Sequence, residues 1–150
     1  MATVRSPLSG AIVPLEDVPD DVFARGILGA GIAVRPTHGD AVAPVDGRIV
    51  KLFPGGHAFV VETADGVQVL VHLGIDTVRL RGRGFTVRAA EGQRVRAGHP
   101  IVRVDVATLS GEGIELVSPV LLISGHAVTP LATGRVRAGD PLLEVRPPDS

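Results

Sequence analysis

Two histidines stand beside stretches that otherwise have the composition of buried strands. His57 precedes the apolar run 58–61, and His72 ends the aliphatic run 69–71, two positions before Gly74. Near neutral pH an imidazole can be a nucleophile through one ring nitrogen while a hydrogen bond holds the other. The Gly74 carbonyl is near enough in sequence to hold Nδ1 of His72, which would leave Nε2 free. Because phosphoryl transfer needs mainly positioning and donors for the phosphoryl oxygens, two histidines suffice for it.

The segment between the histidines predicts a β-hairpin, because the turn signal Ala64-Asp65-Gly66 lies midway. In an antiparallel pair, the sequence numbers of any two residues that lie opposite each other add up to the same value. If that value is odd, His57 and His72 lie on the same face of the hairpin. A two-residue Asp-Gly turn opposes Ala64 and Val67, giving the odd sum 131. We expect that turn, or the same turn shifted back by one residue pair so that the histidines oppose each other directly. A three-residue loop would give an even sum and place the histidines on opposite faces.

Other roles for the two histidines are possible. A single half-buried histidine is more often structural, but two at hairpin-matched spacing favour a shared site. Two imidazoles could also supply two of the four ligands of a tetrahedral zinc ion, although the chain has no cysteine and no H-x-H motif. His57 and His72 could still share a zinc ion with a partner's carboxylate.

The length and composition of the chain limit the classes of protein to which it could belong. The length of 150 residues fits a single domain spanning 1–150. A net charge of -1, with 3% aromatic residues and neither Trp nor Tyr, argues against nucleic acid as a partner. The absence of cysteine suits a reducing cytoplasm, and no stretch approaches the ~20 apolar residues of a membrane span. We therefore expect a cytoplasmic protein that is not membrane-embedded.

The fold predicted from the pattern is all-β. Nineteen glycines and twelve prolines punctuate short Val/Ile/Leu runs, which favours an antiparallel β-sandwich or barrel with short helical turns. A helix is best supported over 105–109, capped by Asp105 and cut short at Ser110-Gly111.

Two internal echoes indicate a duplicated strand-turn-strand unit. The segment 6–13 recurs at 43–50, and the segment 94–104 recurs at 135–145. The second phrase is also typical of lipoyl and biotinyl carriers, but the only lysine, Lys51, does not fit an exposed hairpin tip. We therefore expect a barrel-sandwich hybrid built twice.

The stretch around His72 resembles the active-site signature of the glucose-class enzyme IIA phosphocarriers of the bacterial sugar phosphotransferase system. The resemblance is carried by Gly66, Val69, Leu70, Val71, His72, Leu73, Gly74, Ile75, Thr77 and Val78, and continues through Leu80, Gly82, Gly84 and Phe85. It extends from about Ser6 to Val145. A motif of this length is highly specific.

That resemblance implies roles for particular residues. His72 would carry the phosphoryl group on Nε2, oriented by the Gly74 backbone, and His57 would stabilise it. Docking on the partner would involve six residues: Asp20, Val22, Phe23, Leu70, Leu73 and Asp76. Gly55 stands where many relatives have a threonine that hydrogen-bonds the supporting histidine.

The resemblance also implies partners. The histidine phosphocarrier protein HPr would supply the phosphoryl group, and a cysteine of a sugar-specific enzyme IIB would receive it, for uptake through the IIB/IIC permease. No cofactor would be required, apart from the possible zinc ion at a partner interface. Regulated transporters or metabolic enzymes would be further partners.

Two other functions remain open from the residues. A lysostaphin-like zinc peptidase shares duplicated β architecture and active-site histidines, but it needs an H-x-H that the chain lacks. A regulatory module, in which phosphorylation of His72 controls docking, is compatible with the phosphocarrier. The basic run Arg79–Gly84 close to His72 is interpreted as a solvated hairpin.

Overall fold

Short apolar strands, separated by turns at glycine and proline, make up most of the chain. The computed structural model describes residues 2–148. The strands are β1 (Thr3–Arg5), β2 (Ser9–Val13), β3 (Ala30–His38), β4 (Asp40–Val42), β5 (Gly47–Leu52), β6 (Ala58–Glu62), β7 (Gln68–His72), β8 (Phe85–Val87), β9 (Arg94–Val95), β10 (Pro100–Val104), β11 (Ser118–Leu122), β12 (Ala127–Pro130), β13 (Arg135–Val136) and β14 (Pro141–Arg146). Two short helices, α1 (Asp21–Ala24) and α2 (Val106–Gly111), and 3₁₀ turns at Leu15–Asp17 and Thr77–Leu80 complete the secondary structure.

The strands form three antiparallel sheets. The largest has the order β13-β2-β3-β11-β7-β6-β5-β9, and the others have the orders β1-β14-β12 and β4-β10-β8. Alternation of side chains along β6 and β7 divides the apolar residues between two cores. Phe59 and Val71 belong to the larger core, whereas Ala58 and Leu70 belong to a smaller core that includes Phe23 of α1. The prediction of an all-β antiparallel fold with short helical turns is confirmed.

The two sequence echoes occupy equivalent places. The short strands β9 and β13 close the two ends of the eight-stranded sheet, against β5 and β2 respectively. The strands that follow them, β10 and β14, are the central strands of the two small sheets. The echo therefore corresponds to a structural duplication, which also provides an internal comparison between the two copies.

The helices differ slightly from expectation. The Asp105 carboxylate accepts a hydrogen bond from the Thr108 amide, which confirms the cap. The helix α2 is short, as predicted, and ends at Gly111, two residues beyond the predicted range 105–109. Near the N-terminus, the Asp20 side chain caps α1 by accepting from the amides of Val22 and Phe23.

The predicted two-residue hairpin turn is wrong. Strands β6 and β7 pair with Ala58 opposite His72 and Glu62 opposite Gln68, a register whose sum is 130. The loop therefore has three residues, closed by a 2.9 Å bond from the Thr63 amide to the Val67 carbonyl. In addition, the Val67 amide donates to the Thr63 hydroxyl, and Gly66 has φ 88°. A glycine in the left-handed region at the end of such a loop is the usual way to close it.

Candidate active site

His57 and His72 come together despite the even register. Their ring centroids lie 5.5 Å apart, with the planes at 74°. In this register His57 lies opposite Leu73. Strict alternation would therefore place the His57 side chain on the face of the hairpin away from that of His72. His57 escapes alternation because it precedes β6, in a bend that follows Gly55 and Gly56, both with positive φ. The shared site is therefore made by this bend and not by the hairpin register.

His72 is held at one ring nitrogen. Its Nδ1 lies 2.7 Å from the carbonyl oxygen of Gly74, so Nδ1 carries the proton and donates to it. Gly74 is itself fixed, because its amide donates to the Ser118 hydroxyl, which in turn donates to the Leu116 carbonyl. This leaves Nε2 of the neutral ring with a free lone pair, as a nucleophile requires. Ser118 comes from β11 and has no signal in the local sequence.

Two phenylalanines pack against the imidazoles. The Phe23 ring of α1 lies 5.1 Å from that of His72, and the Phe53 ring lies 5.7 Å from that of His57. His57 is only 7% exposed, whereas His72 is half-buried and so accessible to a partner. Phe53 was not predicted as a site residue.

Burial lowers the pKa of both histidines below the ordinary value of 6.5. For His57, the Pro54 carbonyl opposes that effect. For His72, the Gly74 carbonyl opposes it, the His57 ring reinforces it, and the charges of Asp20 and Asp76 oppose it. Both rings are therefore mainly neutral at neutral pH, the state in which Nε2 can attack.

We expect both imidazoles to titrate below pH 6.5 in an NMR titration. Asp76→Asn should lower the pKa of His72 further, because it removes a charge that favours the imidazolium form. Asp65→Asn, at the far end of the hairpin, is the control and should leave it unchanged. Below pH 6.5 the unfolded chain binds more protons at these rings than the folded protein does. Their contribution to the free energy of unfolding is therefore present above that pH, and it is lost as the pH falls through their folded-state pKa values. A His72 pKa unchanged or raised by Asp76→Asn would contradict this electrostatic description.

The predicted docking residues divide into three groups. Val22 is exposed, at 43%, and Asp20 and Asp76 lie close enough to influence the pKa of His72. Phe23 and Leu70 are mostly buried in the smaller core and form support beneath the site. Leu73 is 1% exposed and packs in the larger core, so its prediction as a docking residue is wrong: it directly follows His72, and alternation points its side chain to the opposite face.

Exposed apolar residues near the site were not predicted for docking. Ile27 is 65% and Leu28 43% exposed, and the Ile27 amide donates to the Val22 carbonyl, which places this segment beside Val22. Val78, in the 3₁₀ turn after Asp76, is 59% exposed. The sequence signal that could have found these positions is an apolar residue in a turn that comes shortly after a predicted docking residue.

The backbone around Gly55 shows why this position lacks a side chain. Gly55 has φ 89°, and a Cβ added there would lie 2.9 Å from the backbone nitrogen of Gly82. The turn before His57 thus packs backbone to backbone against the loop that follows the 3₁₀ turn. A threonine in this position would require that packing to change.

We expect Gly55→Ala to be more destabilising than Gly66→Ala. Both positions have positive φ, so each substitution should cost about 1–2 kcal/mol in backbone strain. Only the Cβ at residue 55 meets another backbone, since nothing lies within 4 Å of one at residue 66. Urea unfolding measures the difference, and equal losses would show that the contact with Gly82 is unimportant.

The basic run after the site is not an isolated cluster of positive charge. Arg83 forms an ion pair with Glu112, with 2.7 Å between the charged atoms. Arg79 and Arg81 are exposed, and Arg81 has φ 53° in a tight turn. This agrees with the interpretation of the run as a solvated turn.

The site holds too few ligands for a closed metal centre. Within residues 2–148, no three His, Asp, Glu or Cys side chains are grouped so as to hold a metal ion. His57 and His72 would supply two of the four ligands that zinc usually takes. Zinc at this site would require ligands from another protein.

Comparison with known proteins identifies the class to which this fold and site belong. The structure is similar to the glucose permease IIA from Mycoplasma capricolum, with a TM-score of 0.89 and 36% identity over 95% of this chain and 94% of that one. The sequence is 43% identical over 142 residues to the glucose-specific EIIA component of the phosphotransferase system (PTS) from Haemophilus influenzae, covering 93% of this chain and 86% of that protein. It is 44% identical over 145 residues to the PTS N-acetylglucosamine-specific EIICBA component of Klebsiella pneumoniae, but spans only 22% of that relative's length.

The family assignment follows from a further match. Residues 2–128 match the model of the family described as phosphoenolpyruvate-dependent sugar phosphotransferase system, EIIA 1. The chain belongs to this family and is a phosphotransferase component of that system with a phosphocarrier role. The comparisons give no support to the zinc peptidase. Among the described residues, no helix is long and apolar enough to cross a membrane.

Proposed function

We propose that Nε2 of His72 accepts the phosphoryl group from HPr and passes it to a cysteine of a sugar-specific enzyme IIB. The observation that carries this proposal is the bond from Nδ1 of His72 to the Gly74 carbonyl, beside a second imidazole 5.5 Å away. With Nδ1 occupied as a donor, Nε2 is the nitrogen left to attack. The phosphorus–nitrogen bond forms as the bond to the HPr histidine breaks.

His57 would stabilise the transferred group. Its buried ring is close enough to His72 to donate a hydrogen bond to a phosphoryl oxygen on the neighbouring ring. In phosphoryl transfer, donors to these oxygens stabilise the charge that is spread over them in the transition state. His57 therefore acts on the phosphoryl group and not as the acceptor.

The partner would dock on the face around His72. Val22, Ile27, Leu28 and Val78 offer exposed apolar surface there, and Asp20 and Asp76 add negative charge. This combination suits a partner with an apolar patch and a cation such as arginine beside its own reactive residue. A zinc ion shared with a partner's carboxylate and the regulation of transporters or metabolic enzymes remain predictions.

We propose that the partner IIB/IIC permease determines which sugar is transported. Relatives named as specific for N-acetylglucosamine, glucose and β-glucoside are 44%, 43% and 41% identical to this chain. The sequence identity to this chain is thus nearly the same for relatives that are named for different sugars. We therefore expect the sugar to contact another polypeptide or domain. A panel of enzyme IIB domains would identify the acceptor.

The test of this function is phosphorylation by a reconstituted chain. Incubation with phosphoenolpyruvate, enzyme I and HPr should give one phosphate per molecule, stable in base and labile in acid as phosphohistidine is. Omission of HPr should abolish labelling. Labelling that is independent of HPr, or stable in acid, would contradict the proposal.

A further inference from the structure

A second, separate groove lies at the opposite end of the hairpin from the histidines. It has a volume of about 830 Å³ and lies between β9 and the turn after β6; its charged or titratable lining residues are Asp46, Arg48, Glu62, Arg94, Arg96 and His99. Glu62 ends β6, whereas His57 precedes it, so at about 3.3 Å per residue the two sites are roughly 16 Å apart. The groove has no part in the phosphoryl transfer proposed above.

The arginines of the groove are not neutralised by ion pairs. In the part of the chain that the structure describes, the two ion pairs are Arg35–Glu115 and Arg83–Glu112, neither of which lies here. The two acids of the groove already have partners: Asp46 accepts from the Ala97 amide at 2.7 Å, and Glu62 accepts from the Gln68 side-chain amide at 2.7 Å. Three guanidinium groups against two carboxylates leave the groove with a positive balance.

Arg48 and His99 are held in place. The Arg48 guanidinium donates to the Gly92 carbonyl at 2.8 Å. The Gln93 side chain accepts from the Ala90 amide through its oxygen, so its amide nitrogen faces Nε2 of His99, 3.3 Å away. Nε2 of His99 therefore accepts from the Gln93 amide, which leaves Nδ1 as the donor of the ring. Fixed donors lose little entropy when a ligand binds.

The duplicated half of the chain shows what this groove lacks. Arg137 and Asp140 in the second echo correspond to Arg96 and His99 in the first. There the Asp140 carboxylate accepts a 2.8 Å bond from the Arg137 amide. Within residues 2–148, the Arg96 amide donates to no such partner, because His99 replaces the aspartate. The second copy thus places a carboxylate on the Arg137 amide. The first copy places its carboxylate, Asp46, on the next amide, that of Ala97, and leaves the Arg96 amide free.

We propose that this groove binds the phosphoryl group of a small phosphorylated molecule, with the Arg48 and Arg96 side chains and the Arg96 amide as donors. A phosphoryl dianion gains more from three arginines than a monocarboxylate does, and it can bond a guanidinium at two oxygens. The volume exceeds that of phosphate alone and lies in the range of sites for small organic ligands. The organic part would lie toward Thr63 and Ala64, which also line the groove.

Substitutions that convert this groove to the chemistry of its duplicate provide the test. Arg48→Ala introduces the residue found at the equivalent Ala11, and His99→Asp introduces the equivalent of Asp140. Arg48→Ala should weaken phosphate binding about tenfold, as expected for one charge-assisted contact. His99→Asp should weaken it at least as much, because the new carboxylate takes the Arg96 amide. Arg137→Gln, in the other copy, is the matched control and should bind like the parent.

The measurement is an amide NMR titration of the unphosphorylated protein with inorganic phosphate, glucose 6-phosphate and glucose, at constant ionic strength. We expect saturable shifts at Arg96 and Ala97 with both phosphates, tighter binding of glucose 6-phosphate with added shifts at Thr63 and Ala64, and no shifts with glucose. No saturable shift, equal shifts around Arg137, or undiminished binding by His99→Asp would overturn the proposal. Equal affinity for both phosphates would overturn the assignment to an organic phosphate. Since no phosphoryl donor is present, these results are independent of whether His72 is the carrier.

Discussion

His72→Gln is expected to abolish phosphorylation. Glutamine is neutral and of similar size, but its amide nitrogen is not a nucleophile, so no phosphorus–nitrogen bond can form. With phosphoenolpyruvate, enzyme I and HPr, the parent should take up one phosphate per chain and the variant none, as measured by intact mass under basic conditions.

The control for this experiment is His38→Gln. His38 is an exposed histidine at the end of β3, outside the site, and its variant should be labelled like the parent. Substantial labelling of His72→Gln would end the assignment of His72 as carrier. Labelling lost in both variants would also contradict it, because His38 has no role in the proposed transfer.

His57→Gln is expected to separate acceptance from onward transfer. His72 keeps its nucleophilic Nε2 and its bond to Gly74, so the variant should still become phosphorylated. Transfer to the sugar-specific partner should slow by about 10²-fold or more, the usual effect of removing a donor that stabilises the transition state.

Rapid-quench measurement of phosphate passing from labelled protein to an enzyme IIB domain tests this expectation. Phe53→Leu, which keeps an apolar side chain against His57 without altering either imidazole, is the control and should slow transfer far less. If His57→Gln transferred phosphate as fast as the parent, the supporting role of His57 would have to be abandoned.

The local sequence was sufficient to predict a fold of short antiparallel strands, the hairpin between the histidines and the Gly74 bond. Each depends on contacts between near neighbours: alternating apolar residues, a turn signal, and a carbonyl two positions from the ring. The resemblance to the enzyme IIA family added the unequal roles that are proposed for the two histidines, which spacing alone could not assign.

The register of the hairpin could not be predicted from the turn signal. Ala64-Asp65-Gly66 permits a two- or a three-residue loop, and the Thr63 hydroxyl decides between them by accepting from the Val67 amide. Leu73 faces the larger core in either register, because it directly follows His72 and successive side chains point to opposite faces. The two rings still meet because of the bend at Gly55 and Gly56, which no rule of strand alternation includes.

Long-range contacts account for the other residues that were missed. Ser118 reaches Gly74 from 44 positions away in sequence, and Gly82 meets Gly55 across two loops. Such pairs come together only when the strands between them have packed. Their sequence signals, a serine in an apolar strand and a glycine in a basic turn, are common to many structural positions.

The central claim is that the phosphoryl group is carried on Nε2 of His72 while Nδ1 remains bonded to Gly74. Nitrogen-15 NMR of the phosphorylated protein, with phosphorus coupling to assign the modified nitrogen, measures this directly. We predict coupling at Nε2 of His72 and a retained proton on Nδ1. Coupling at Nδ1, or at either nitrogen of His57, would contradict the account.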